Sequence, residues 1–307
     1  MTYPPIDLFD AGLLSVAGNE IYWEISGNPD GKPALYLHGG PGSALRSGYR
    51  RRFDPQKYRV VGIDQRGCGQ SRPLATDALG ELHRNTTQTL IEDIEAVRGH
   101  LDIETWLVSG VSWGTTLALA YAQAYPGRVS ELVLLAVTTT SREEVDWITE
   151  GVGRIFPESW QRFEQASGRR DDERIVEAYA RRLATGDTQD RLGAARAWND
   201  WESTHISLDP NWVSIDQRFD EERFGIRDPR HALLVERRVS QGWKRNTLPS
   251  VCNRAYSRRS YSWSPRHQRA SDSGLASPSA VAGKPLVHRG IRRAWRAPVD
   301  GTDARRA

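Results

Sequence analysis

Four short, nearly continuous apolar runs punctuate the first half of the chain. They are Pro33-Ala34-Leu35-Tyr36-Leu37, Tyr58-Arg59-Val60-Val61-Gly62-Ile63, Leu107-Val108 with its neighbours, and Glu131-Leu132-Val133-Leu134-Leu135-Ala136-Val137. Runs this short, apolar on successive residues, suit strands covered on both faces of a parallel sheet. Asn19 to Ile25 alternates loosely and reads as an earlier strand, closed by a turn at Gly27–Gly31. Helical spacing appears between the runs. Leu90, Ile91, Ile94 and Val97 recur behind a cap at Asn85-Thr86-Thr87, and small residues from Thr115 to Ala120 continue to about Tyr125-Pro126-Gly127. Strands alternating with helices predict an α/β domain with a parallel, doubly wound sheet.

The pattern changes at Ser141. To about Asp220 the chain reads as polar helices rich in tryptophan and charge, for example Ile155-Phe156-Pro157-Glu158-Ser159-Trp160 and Ala197-Trp198-Asn199-Asp200-Trp201-Glu202. It changes again near Glu222, after which Arg, Ser, Ala and Pro dominate and only Pro285-Leu286-Val287 reads as apolar. The expected divisions are an α/β core over 1–140, a helical cap over 141–222 and a basic tail over 223–307, with no internal repeat.

Charge sharpens the last boundary. Residues 223–307 hold 19 Lys+Arg against 5 Asp+Glu, a net of +14; residues 1–222 hold 23 against 34, a net of −11. The overall +3 conceals this split. The 307 residues, 38% hydrophobic, allow one large domain with an insertion. Two cysteines, Cys68 and Cys252, make no disulfide framework and fit a reducing compartment. The first residues lack the basic-then-apolar order of a signal peptide, and no run approaches the ~20 apolar residues of a membrane span. The expectation is a soluble, cytoplasmic protein.

Candidate chemistry centres on Gly110-Val111-Ser112-Trp113-Gly114. An apolar strand precedes this G-x-S-x-G and a helical pattern follows it, which is the setting of a nucleophile elbow: a sharp turn lifts the serine above the sheet. The helix aims the positive end of its dipole at the same place. His38-Gly39-Gly40-Pro41-Gly42 follows a strand and suits either a tight turn or a loop whose backbone N–H groups approach a ligand. Asp64 and Arg66 are expected to pair and hold the loop Asp64–Ser71, and Cys68 to serve packing.

Taken together, these segments resemble the proline iminopeptidases (prolyl aminopeptidases), serine peptidases of the α/β-hydrolase fold. The likeness rests on His38–Gly42, Asp64–Pro73, Asn85-Thr86-Thr87, Val108–Tyr121, Arg154–Glu158 and Trp198–Glu202, and covers about residues 1–220. It implies that Ser112 attacks the carbonyl of an N-terminal prolyl residue and forms an acyl-enzyme. It also implies that the N–H groups of Gly40 and Trp113 hold the oxyanion, and that Glu202 binds the substrate's free amine beside Trp198 and Trp201. The substrates implied are peptides with N-terminal proline, with no cofactor and no metal. An esterase on the same scaffold is the alternative.

A serine is a poor nucleophile until a base takes its proton, and in this fold an acid and then a histidine follow it. Neither is recognisable here. Asp272, His267 and His288 stand in Ser/Arg-rich sequence without a strand before them and are not assigned. Three readings of 223–307 stand: a shifted reading frame, which abrupt loss of pattern favours; a basic, Tyr- and Trp-bearing tail for nucleic acid, which is disfavoured; and a disordered linker. The chain is therefore expected to turn over slowly or not at all.

Overall fold

The computed structural model describes residues 3–206, the last two by their backbone alone. Six strands form one sheet: β1 (Leu8–Val16), β2 (Asn19–Gly27), β3 (Lys32–Leu37), β4 (Tyr58–Ile63), β5 (Trp106–Val111) and β6 (Val129–Leu135). Their order across the sheet is β1-β2-β4-β3-β5-β6. β4, β3, β5 and β6 run parallel, whereas β1 pairs antiparallel with β2 and β2 with β4. The sheet is therefore mixed. The sequence reading has no counterpart for β1, whose side chains are mostly exposed and carry no buried apolar run.

The parallel strands show why their sequences are continuous in apolar residues. Leu35 and Leu37, Val61 and Ile63, and Trp106 and Val108 face one core with α1 (Thr87–His100) and α2 (Trp113–Ala124). Their alternates Ala34, Tyr36, Val60 and Leu107 pack on the opposite side with Tyr49 and Phe53. Alternating side chains thus bury on both faces. α1 begins where the sequence predicts: Thr86 caps it, its hydroxyl accepting from the Thr89 N–H, with Thr89 returning the bond.

Four more helices follow β6: α3 (Arg142–Thr149), α4 (Pro157–Ser167), α5 (Ile175–Thr185) and α6 (Thr188–Ile206). They close over a separate core of Val145, Phe163, Val176, Tyr179, Leu183 and the two tryptophans Trp198 and Trp201. Pro157 opens α4, where its missing N–H costs nothing. The expected tail 223–307, residues 207–222, Cys252, His267, Asp272 and His288 lie outside the described residues.

One expected pairing is corrected. Arg66 does not pair with Asp64; it grips buried Asp93 of α1 through two bonds of 2.7 and 2.6 Å. The Asp64 carboxylate instead accepts the N–H groups of Leu45 (2.6 Å) and Gln70 (2.8 Å). The Asp64 carboxylate is already taken up by these two backbone donors, while Asp93 presents both oxygens to the planar guanidinium. Asp93→Ala leaves a buried guanidinium without its counter-charge and is expected to cost about 3–5 kcal/mol in denaturant unfolding. The double variant with Arg66→Met is expected to recover much of that loss.

Candidate active site

The elbow is built by two close approaches that only glycine allows. A Cβ on Gly110 would stand 2.3 Å from the Gly114 carbonyl oxygen. One on Gly114 would stand 2.2 Å from the Leu37 carbonyl oxygen, at the end of β3. Strand, helix and neighbouring strand therefore touch backbone to backbone at this point. Between them Ser112 adopts φ 53°, ψ −125°, a left-handed conformation disfavoured for a residue with a side chain. Its N–H donates to the Leu135 carbonyl at 3.0 Å, so the end of β6 braces the turn. Trp113 opens α2, and its N–H is among the amides for which an α-helix supplies no acceptor of its own.

β3 and β5 lie side by side, with Leu37 opposite Gly110. The chain leaving β3 therefore passes next to the serine. A Cβ on Gly39 would lie 3.2 Å from Ser112 Cβ and 3.7 Å from Oγ. Gly40 has φ 115°, and among the described residues its N–H has no backbone acceptor. Tertiary pairing thus brings together Ser112, Trp113 and the Gly39–Gly40 turn, which are far apart in the chain.

Two residues that the sequence reading passes over join this site. His38 is buried, with Nδ1 2.9 Å from the Gly39 carbonyl oxygen and Nε2 accepting the Gln65 N–H at 3.1 Å. The Gln65 side chain donates to the His38 carbonyl at 2.9 Å and accepts the Trp113 indole N–H at 3.1 Å. Both stand in quoted motifs, His38-Gly39-Gly40 and Asp64-Gln65-Arg66. A polar side chain at a buried strand end was the signal available.

Behind the serine, a threonine knot links α2 to α3. Thr115 Oγ1 lies 2.7 Å from the Ser112 carbonyl oxygen and 2.9 Å from that of Thr138. Glu144 of α3 accepts from Thr138 Oγ1, the Thr139 N–H and the Ser141 N–H. Burial alone would raise the Glu144 carboxyl, but these donors hold it below the usual range. A carboxyl depressed on folding contributes stability above its unfolded pKa and loses it as pH falls through the folded value. Glu144→Gln is therefore expected to lower stability by roughly 1 kcal/mol near neutral pH, as a lost cap does. The gap from wild type should close as the pH drops below about 4, which thermal melts across that range would read.

Glu202 lies on α6, half-buried, immediately after Trp201. The two tryptophans, whose spacing suits either a proline pocket or plain packing, are core residues. Trp201 stacks on Phe163 at 5.1 Å and donates its indole N–H to the Ile148 carbonyl; Trp198 meets Phe163 and Tyr179 edge-on at 5.5 and 5.2 Å. Helical spacing puts both on the buried stripe of α6. Cys68 is buried, as packing predicts. Among the described residues no cluster of His, Cys, Asp and Glu could hold a metal ion, and no helix is long and apolar enough to cross a membrane.

A family model described as the alpha/beta hydrolase fold matches residues 32–251. That match runs some 30 residues past 220, the limit of the likeness read from the sequence. Among curated proteins, the chain is 50% identical over 244 residues to a "Probable proline iminopeptidase" of Streptomyces coelicolor, covering 78% of this chain and 72% of that one. It is 47% identical over 211 residues to a proline iminopeptidase of Neisseria meningitidis, covering 68% and 66%. It is 42% identical over 229 residues to one of Arabidopsis thaliana, covering 73% and 58%.

Proposed function

The chain belongs to the proline iminopeptidases, aminopeptidases of the α/β-hydrolase fold, and from that membership we propose that it releases N-terminal proline from peptides through an acyl-enzyme on Ser112. One observation carries the reading. Ser112 is held at φ 53° at the mouth of α2 with the Gly39 backbone against it. In that position its Oγ attacks the prolyl carbonyl, while the Gly40 and Trp113 N–H groups and the helix dipole stabilise the oxyanion. Departure of the amine leaves a prolyl ester on Ser112, which water then cleaves.

Residues 141–222 act as a cap in this reading, and Glu202 supplies the carboxylate for the substrate's cationic amine, which a partly dry site would otherwise leave unpaired. The sparse cysteines of the sequence, two in 307 residues, fit a reducing, cytoplasmic setting. The acid and base that must activate Ser112 belong to sequence beyond residue 206. The strand, Gly-Arg-x-Asp and Gly-His segments that carry them in the family are not recognisable there, and a shifted reading frame accounts for the change in composition. The family match to residue 251 supports a shift near that position; sequencing codons 215–260 of the locus reads it directly.

The test is release of p-nitroaniline from proline p-nitroanilide by the 307-residue chain. Slow turnover that disappears in Ser112→Ala is expected. Turnover unaffected by that substitution refutes the nucleophile, and preference for simple esters over the prolyl amide would favour an esterase. Fast Ser112-dependent release would mean that the basic tail supplies a working triad.

A further inference from the structure

Gln65 ties together the two loops that flank Ser112. Its backbone N–H can only donate, so at 3.1 Å it makes His38 Nε2 an acceptor. A neutral imidazole then carries its proton on Nδ1, which stands 2.9 Å from the Gly39 carbonyl oxygen. In Gln65, Oε1 takes the Trp113 indole N–H and Nε2 gives a proton to the His38 carbonyl. The Gln65 Nε2 also stands 3.4 Å from His38 Nδ1, but with Nε2 of the ring already accepting, the neutral imidazole keeps its proton on Nδ1, where the closer Gly39 oxygen accepts it. The ring is buried and cannot turn without breaking these bonds.

The consequence falls on the next peptide. The Gly39–Gly40 bond is not among the cis bonds, and in a trans peptide C=O and N–H point in opposite directions. Neither glycine has a side chain to restrict this unit, so its rotation must be fixed from outside. Anchoring the Gly39 oxygen on Nδ1–H turns the Gly40 N–H away from His38, and that N–H has no backbone acceptor among the described residues.

With Ser112 as nucleophile, as read above, we propose that His38 is a positioning residue for acyl transfer: its Nδ1–H locks the Gly39–Gly40 peptide so that the Gly40 N–H faces the oxyanion formed on Ser112. Gln65 enforces the tautomer and, through Trp113, keys it to the elbow that carries the second donor. The imidazole takes no proton from substrate. It spends its one N–H on the protein backbone, which removes the cost of reorienting that peptide as charge develops.

Two measurements on the full 307-residue chain test this. In protein labelled with 15N-histidine, long-range proton–nitrogen spectra read the tautomer, with His38→Asn identifying the signal. A neutral Nδ1–H ring is expected; an Nε2–H or doubly protonated ring overturns the proposal. The second measurement is hydrolysis of a prolyl p-nitrophenyl ester, whose good leaving group lessens the need for a base. A serine protease without its triad keeps roughly 10³–10⁴-fold catalysis from the oxyanion hole and binding, so this substrate exposes the hole itself.

His38→Ala is expected to lower kcat roughly 10²-fold, the low end for a lost oxyanion donor, with KM changed less than about twofold. His38→Asn, whose amide N–H can stand where Nδ1–H stood, should recover most of the loss. An alanine variant that is folded by circular dichroism and keeps the wild-type kcat overturns the proposal, as does equal loss in the alanine and asparagine variants. If Ser112→Ala hydrolyses the ester as fast as wild type, the nucleophile assignment is what fails, and the tautomer measurement alone decides the role of His38.

Discussion

Ser112→Gly is expected to raise the stability of this protein while eliminating its serine-dependent hydrolysis. Ser112 sits at φ 53°, ψ −125°, where a side chain clashes with its own backbone. A residue held in such a region stores about 1–3 kcal/mol. Glycine enters it freely but costs roughly 0.5–1 kcal/mol in extra unfolded-state entropy. The net is about +1 kcal/mol, a rise of roughly 2–4 °C in Tm for a domain of this size. Ser112→Ala is the control: it keeps the Cβ and therefore the strain, so its Tm should stay near wild type although it loses the same reaction. A glycine variant that melts below wild type would show that the turn stores no strain.

Gly114→Ala is expected to force β3 and α2 apart and to destabilise the protein strongly. Alanine in an exposed helix normally stabilises by up to ~1 kcal/mol over glycine. Here the new Cβ would stand 2.2 Å from the Leu37 oxygen and 2.9 Å from that of His38, both backbone atoms that cannot swing aside. β3 and α2 must separate, and the penalty of about 3 kcal/mol or more for overpacking outweighs the helix gain. Because His38 and Gly39 leave from that end of β3, kcat should fall as well. Gly99→Ala, also within a helix but with no atom within 4 Å of its Cβ, is expected to be neutral or stabilising. Chemical denaturation of the pair, read together, separates close packing from helix propensity.

Local chemistry was legible where one element declares itself. β4 runs over the residues its apolar run predicts, α1 starts behind Thr86, and the elbow falls between a strand and a helix at Ser112. These features depend on neighbours within a few positions, such as a cap hydroxyl and the N–H three residues on. β1 was missed because an exposed antiparallel edge strand carries no apolar run to mark it. The aromatic segment around Trp198 suggested a pocket, but the same helical spacing also describes a core stripe, and burial against Phe163 and Tyr179 selects the second.

By itself, then, the sequence determined the family, the alternation of strands and helices, and the position of Ser112 on the turn between a strand and a helix. All follow from short-range pattern: hydrophobic period, glycine spacing and motif order. The tertiary structure decided which groups meet Ser112. Arg66 pairs with Asp93 rather than with Asp64, nearer in sequence, because α1 presents both oxygens of Asp93 to the guanidinium while Asp64 is held by the N–H groups of Leu45 and Gln70. Gly39 reaches the serine because β3 and β5, distant in sequence, are paired in register. His38, Gln65 and Trp113 become one hydrogen-bonded unit because β4 lies on the other side of β3. Strand order is set by how whole faces bury against one another, and that sum over the fold is not written in any one segment.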